Sequence, residues 1–139
     1  MIKFHALYED SIIPVRSTIA SAGYDLYAHE DVEIQPHQTA LIGTGITAEM
    51  SANSVMYVCS RSGLALKNSV IVLNAPGIVD ADYYPNEIKV ILHNLGNEVF
   101  KVNKCDRIAQ ALFTSYYIAY NETTPNQKRE SGFGSTGTK

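Results

Sequence analysis

"NAPGIVDADYYPNEIKVILHN", residues 74–94, carries the pattern that decides the fold. Pro76-Gly77 and Pro85-Asn86 are turn chemistry, and they flank Gly77 to Tyr84. Glu87 to His93 then reads as a short strand. The same alternation of short run and turn recurs on both sides. Upstream, Ile2-Phe4-Ala6 alternates with Lys3-His5, and Val32 to Ile34 leads into the Pro36 turn. Thr39 to Ile42 stops at Gly43 and Gly45, and Ser54 to Cys59 and Ser69 to Leu73 follow. Downstream lie Val99 to Val102 and Ile108 to Tyr120.

Helical periodicity is nearly absent. One helical turn is expected at Gly63 to Lys67, where Leu and Ala favour helix, with Ser62 placed to cap it. The pattern predicts a compact all-β sandwich or barrel over residues 1–120. Residues 121–139, where Asn, Thr, Pro, Gln, Lys and Arg dominate, are expected to form a flexible C-terminal arm.

The chain has 139 residues, enough for one domain with a buried core and no need of disulfides or structural metal. Its net charge of −3 supplies no global basic field, so nucleic acid is not an expected partner. Any anionic ligand needs a few placed Arg or Lys residues. No apolar run approaches membrane-spanning length, so no membrane partner is expected. Met1 leads into a mixed polar segment without a charged start and apolar core, and Cys59 and Cys105 lack metal-ligand spacing. Free thiols and a cytoplasmic location are therefore expected. His5, His29, His37 and His93 show no zinc spacing and read as solvated or structural.

Five segments hold residues that could carry chemistry. In "AGYDLYA" (22–28), Asp25 sits among apolar neighbours, although a solvated strand aspartate explains it as well. In "SRSGLALK" (60–67), Arg61, Ser62 and Gly63 precede a helix start, where freed N–H groups and a fixed cation attract phosphate; ordinary caps look the same. In the opening stretch, Asp80 and Asp82 lie two apart and in extended chain share a face. They could serve as base and structural anchor, as metal ligands, or merely as a polar hairpin end. Tyr83 beside them and Asn74 upstream, with its donor and acceptor, exceed what a hairpin end needs. In "DRIAQALF" (106–113), alternation puts Ile108, Gln110 and Leu112 on one side, and Arg107, Ala109, Ala111 and Phe113 on the other.

The fifth segment, "RESGFGSTGTK" (129–139), contains G-x-G-x-x-G at Gly132, Gly134 and Gly137. A dinucleotide fingerprint belongs between a strand and a helix, and here only Thr138 and Lys139 follow. The glycines still let backbone amides approach phosphate. Arg129, Ser135 and Thr136 add donors, and Phe133 offers a flat face for a base.

In this order and near this spacing, "AGYDLYA", "SRSGLA", "NAPGIVDADY" with "EIKVILHN", "DRIAQALF" and "RESGFGSTG" resemble the signature of the trimeric dUTPase family. The resemblance implies a jelly-roll-like β-clip fold, a homotrimer with shared active sites, and hydrolysis of dUTP to dUMP and pyrophosphate with Mg2+. It implies a role in keeping uracil out of DNA and supplying dUMP for thymidylate synthesis. It also assigns roles. Asp80 matches the general base for water attack on the α-phosphorus, and Asp25 the carboxylate that holds magnesium through water. Arg61, Ser62 and Gly63 match the phosphate-binding segment, with Gln110 a further phosphate-side group and Arg107 a structural one. Asn74 and the backbone from Gly77 match the uracil reader, and Tyr83 the residue against deoxyribose. Arg129 matches the γ-phosphate ligand, Phe133 the ring over uracil, and Gly134, Ser135 and Thr136 the phosphate cradle.

Two departures from the family pattern stand out. Tyr84-Pro85-Asn86 makes the turn after Tyr83 one residue longer, and Ser60 stands where Pro is common. A deaminase relative acting on dCTP is a competing reading, but such enzymes are typically longer and centre on a glutamate. Some phage-type relatives bind repressors, so the resemblance leaves a regulatory protein partner open.

Overall fold

Most of the expected runs become strands because each has one face that must leave water. The computed structural model describes residues 1–123, 125, 129, 131–134 and 137. Its strands are β1 (Ile2–Ala6), β2 (Tyr24–Tyr27), β3 (Val32–Ile34), β4 (Thr39–Gly43), β5 (Ile46–Met50) and β6 (Ser54–Cys59). After helix α1 (Ser62–Asn68) come β7 (Val70–Val72), β8 (Gly77–Asp80), a 3-10 turn (Ala81–Tyr83), β9 (Lys89–Asn94), β10 (Phe100–Val102) and β11 (Arg107–Ser115).

All strand pairs are antiparallel. β2-β11-β6-β8 form one sheet and β4-β9-β7 another, with β1-β5 and β10-β3 as two-stranded ribbons. The architecture is all-β and jelly-roll-like. Leu26, Ile42, Met56, Val90, Ala109 and Ala111 are fully buried at its centre. β9 shows the cause plainly: Val90, Leu92 and Asn94 point inward while Lys89, Ile91 and His93 face outward. Buried Asn94 is satisfied, donating to the carbonyls of Ile34 (2.9 Å) and Glu98 (2.8 Å) and accepting from the Gly96 N–H (2.9 Å).

The structure corrects several expectations. β5 is a strand that the sequence runs did not include; pairing with β1 across Ile2↔Met50 to Ala6↔Ile46 holds Ala48, Glu49 and Met50 extended although these residue types favour helix. The strand expected to reach Tyr120 ends at Ser115. Tyr117 and Tyr120, whose β propensity extended the expectation, are fully exposed. The helix starts at Ser62, so Arg61 is the capping residue, and its side chain makes no cap hydrogen bond. Ser62 is not the cap.

A register shift between Arg107 and Ala109 also breaks the expected alternation of β11, leaving both Ile108 and Ala109 buried. Among the described residues, no helix is long and apolar enough to cross a membrane. Cys59 and Cys105 are free thiols. The histidines have structural partners: His5 bonds Glu49 (2.7 Å), His29 bonds Asp10 (2.8 Å), His93 bonds Thr39 (2.8 Å), and the His37 N–H donates to the Asn94 carbonyl (2.7 Å).

Candidate active site

The expected site residues fall into two groups on different parts of the chain. The first is built on β8. This strand pairs with β6 on one side and closes its sheet, so its other edge has no strand partner among the described residues. Backbone N–H and C=O groups along such an edge remain available to a ligand. Gly77, opposite Val58, brings this backbone close to Asn74: a Cβ there would lie 3.2 Å from the Asn74 amide nitrogen and 3.3 Å from Val58 Cβ.

The chain leaves the strand at Asp80 and turns through Ala81–Tyr83. Asp80 and Asp82 therefore do not share a strand face, contrary to the reading of the stretch as extended. They converge by another route. Arg129 Nη2 pairs with Asp80, and Arg129 Nε donates to Asp82 at 2.9 Å.

A cleft of about 240 Å³ lies among β8, β9 and the arm. Asn74, Gly77, Ile78, Asp80 and Tyr83 line it, together with Lys89, Arg129, Gly132 and Phe133. The Phe133 ring meets Tyr83 edge-on at 6.4 Å between centroids. Gly132 fits there because a Cβ would come within 2.5 Å of Tyr83 Cε1. Tyr83 donates its hydroxyl to the Glu87 carbonyl at 2.6 Å. Burial, and then the Glu87 carboxylate, push the Tyr83 phenol above its ordinary pKa, while Arg129 pulls the other way. The phenol stays protonated.

The second group sits where β2, β11 and the start of α1 meet. Asp25 lies opposite Gln110, and Gln110 lies opposite Cys59. The Asp25 side chain is only 13% exposed. Its carboxylate faces Arg61 Nε (3.7 Å) and Arg107 Nη1 (3.5 Å), and accepts a hydrogen bond from Ser17 Oγ (2.9 Å). Gln110 Nε2 donates to the Ser60 carbonyl at 3.0 Å and packs where a Cβ on Gly23 would be. The Ser60 hydroxyl accepts the Val72 N–H at 2.8 Å, a bond that a proline at this position could not make. Nothing lies within 4 Å of a Cβ built on Gly63.

Within one chain the structure thus brings Asn74, Gly77, Asp80, Tyr83, Arg129 and Phe133 together, and separately Asp25, Arg61 and Gln110. It does not join the two sets: Asp25, Arg61, Ser62, Gly63 and Gln110 do not line the cleft. Gly134 is in a left-handed conformation (φ 102°) with open space around it, as close approach to a ligand requires. Ser135 and Thr136 lie outside the described residues. The resemblance gave no role to Asp82, Gly132 or Lys89, although Asp82 stood as a candidate beside Asp80. For Gly132 the signal was present, as the first glycine of G-x-G-x-x-G. For Lys89 it was not, because a strand lysine reads as solvated.

The dUTPase family model matches residues 9–137. The chain is 41% identical over 140 aligned residues to the deoxyuridine 5'-triphosphate nucleotidohydrolase of Nautilia profundicola, covering 98% of each. The dUTPase crystal structure from Streptococcus mutans superposes with a TM-score of 0.77 at 29% identity, over 84% of this chain and 97% of that one. A mutant dUTPase from phage phi11 of S. aureus, which shows how a structural Mg(II) ion is coordinated, superposes with a TM-score of 0.79 at 20% identity, over 94% and 99%. With a matching model over nearly its whole length and relatives this similar, the chain belongs to the dUTPase family, hydrolases that convert dUTP to dUMP.

Proposed function

We propose that hydrolysis proceeds by attack of water on the α-phosphorus of dUTP, with Asp80 as general base, at sites shared between the copies of a homotrimer. The observation that carries this reading is the separation of the two groups. Asp80 lies opposite Val55 and Gln110 opposite Cys59, on either side of β6. That is roughly 13 Å along β6 plus two strand spacings of about 4.8 Å, far beyond shared contact with one phosphorus. A cleft that offers places for base, sugar and general base but none of Arg61, Ser62, Gly63 and Gln110 is completed by a neighbour's copies of those residues.

Each residue then has a defined task. The free edge of β8 and the Asn74 amide complement uracil O4 and N3–H. Cytosine reverses that pattern and leaves buried polar groups mispaired. Tyr83 packs on deoxyribose, and Phe133 covers the base. Asp80 takes a proton from the water as its oxygen bonds the α-phosphorus, the bond to the bridging oxygen breaks, and pyrophosphate departs with that electron pair. Arg61 and Arg129 offset the growing phosphate charge. Arg129 is held by Asp80 and Asp82 in this structure, so a bound triphosphate competes for it.

Asp25 suits a magnesium ion. Among the described residues no three metal-ligating side chains cluster, and a single carboxylate fits a hard cation that keeps its waters and binds mainly to substrate phosphate. Such an ion, when bound, would offset part of the triphosphate charge. Residues 1–120 would form the catalytic core and residues 121–139 an arm that closes over the site and excludes bulk water. The product dUMP feeds dTMP synthesis, and removal of dUTP keeps uracil out of DNA. Free Cys59 and Cys105 suit the reducing cytoplasm.

Turnover in heavy-oxygen water tests the reaction centre. Label in dUMP is expected; label in pyrophosphate would mean attack at the β-phosphorus and overturn the reading.

A further inference from the structure

The turn after Tyr83 is tied to its surroundings on several sides. The Tyr83 carbonyl accepts two hydrogen bonds from Asn86, from its N–H (3.0 Å) and from Nδ2 (2.8 Å). The Tyr83 hydroxyl donates to the next residue, at the Glu87 carbonyl (2.6 Å). Both ends of Tyr83 are therefore held by adjacent residues of the same turn. Glu87 is itself anchored, its carboxylate accepting the Gly45 N–H at 2.8 Å. A Cβ on Gly43 would come within 2.6 Å of that carboxylate, so the neighbouring strand end leaves room for it. On the outer side the Tyr84 ring meets His5 at 5.6 Å, and His5 bonds Glu49 at 2.7 Å. Asn86 and Glu87 do not line the cleft, whereas Tyr83 does.

We propose that Asn86 is a positioning residue for the choice of deoxyribose over ribose, acting through Tyr83. The proposal rests on the assignment of Tyr83 to the sugar. Steric exclusion of one hydroxyl works only if the wall cannot yield. A residue held at both its backbone carbonyl and its ring hydroxyl keeps the ring from swinging away to admit a 2′-hydroxyl. Asn86 supplies half of that tether, and its side-chain donor has no other partner among the described residues.

The test is steady-state kinetics with dUTP and UTP on the parent, Asn86→Ala, Asn86→Asp, Tyr83→Phe, Tyr83→Ala and the Asn86→Ala/Tyr83→Phe double variant, with melting curves alongside. Losing one hydrogen bond to the wall should raise the UTP-to-dUTP ratio of kcat/KM by roughly tenfold in Asn86→Ala. The KM for dUTP should rise more than kcat falls. Asn86→Asp keeps the shape and removes the donor, so it should relax selection similarly, and it decides the matter should the alanine variant fold poorly. The double variant should show less than the product of the single effects, because both tethers hold one ring. A ratio within twofold of the parent in both Asn86 variants, with Tyr83→Ala relaxed, overturns the role of Asn86 while leaving Tyr83 at the sugar. An unchanged ratio in Tyr83→Ala removes the sugar assignment and this proposal together.

Discussion

Asp80 and Gln110 lie at opposite ends of β6, the first opposite Val55 across β8 and the second opposite Cys59 across β11. The separation follows from antiparallel register, which fixes which residues face one another along the ladder. It has a catalytic consequence. With Asp80 as the proposed base and Gln110 as the proposed phosphate-side group, the two cannot meet on one nucleotide within one chain.

Replacing Asp80 by Asn should lower turnover by at least roughly 10²–10⁴-fold, the range for loss of a general base, while nucleotide still binds. Binding of a non-hydrolysable dUTP analogue and single-turnover rates, measured on the same preparation, check both halves. Near-normal turnover would remove Asp80 from the mechanism.

Removing residues 129–139 takes away Arg129, Phe133 and the glycines. The core should keep its melting behaviour, since the Arg129 bridges run to the exposed carboxylates of Asp80 and Asp82. Turnover should fall by about 10²-fold or more, as when a charge-stabilising donor is lost. A fully active truncated chain would show that the arm takes no part.

At Gly77→Ala the new Cβ meets the Asn74 amide at 3.2 Å and Val58 at 3.3 Å. The backbone and Asn74 must give by a few tenths of an ångström. That displaces the proposed uracil reader, and losing one good hydrogen bond should raise the KM for dUTP by roughly tenfold. Stability should change little. An unchanged KM would move uracil away from this edge.

Asp10 tests the electrostatics away from the site. Hydrogen bonds from Lys104 and then His29 hold its carboxyl at about 2, below the ordinary 3.8. A pKa depressed on folding stabilises the native state above 3.8, and that contribution is lost as pH falls toward 2. Asp10→Asn should therefore melt below the parent at neutral pH, with the gap closing between pH 4 and pH 2, as thermal melts across that range will show. A constant gap would assign the effect to something other than titration.

Much of the fold was legible because strand alternation survives where one face is buried, as in Val90, Leu92 and Asn94 of β9. It failed at β5, where helix-favouring Ala48, Glu49 and Met50 are held extended by β1, a long-range pairing with no local signature. It failed again at Tyr116 to Tyr120, whose side chains suit a strand but which no strand pairs in this chain. The candidate site residues stood out as five segments in order. Their grouping was not, because register decides it. Residue spacing alone could not show that Asp80 and Asp82 part at a 3-10 turn and meet again on Arg129, or that Asn86 grips Tyr83.

Complementation between two inactive variants tests the shared site most directly. Asp80→Asn and Arg61→Ala damage different groups, so each alone should be nearly inactive. Refolded together at equal amounts, random assembly leaves about a quarter of sites with intact halves from two chains. Activity should return to about that fraction of the parent. If native mass spectrometry shows mixed oligomers yet activity stays at the level of the separate variants, the two groups do not serve one nucleotide.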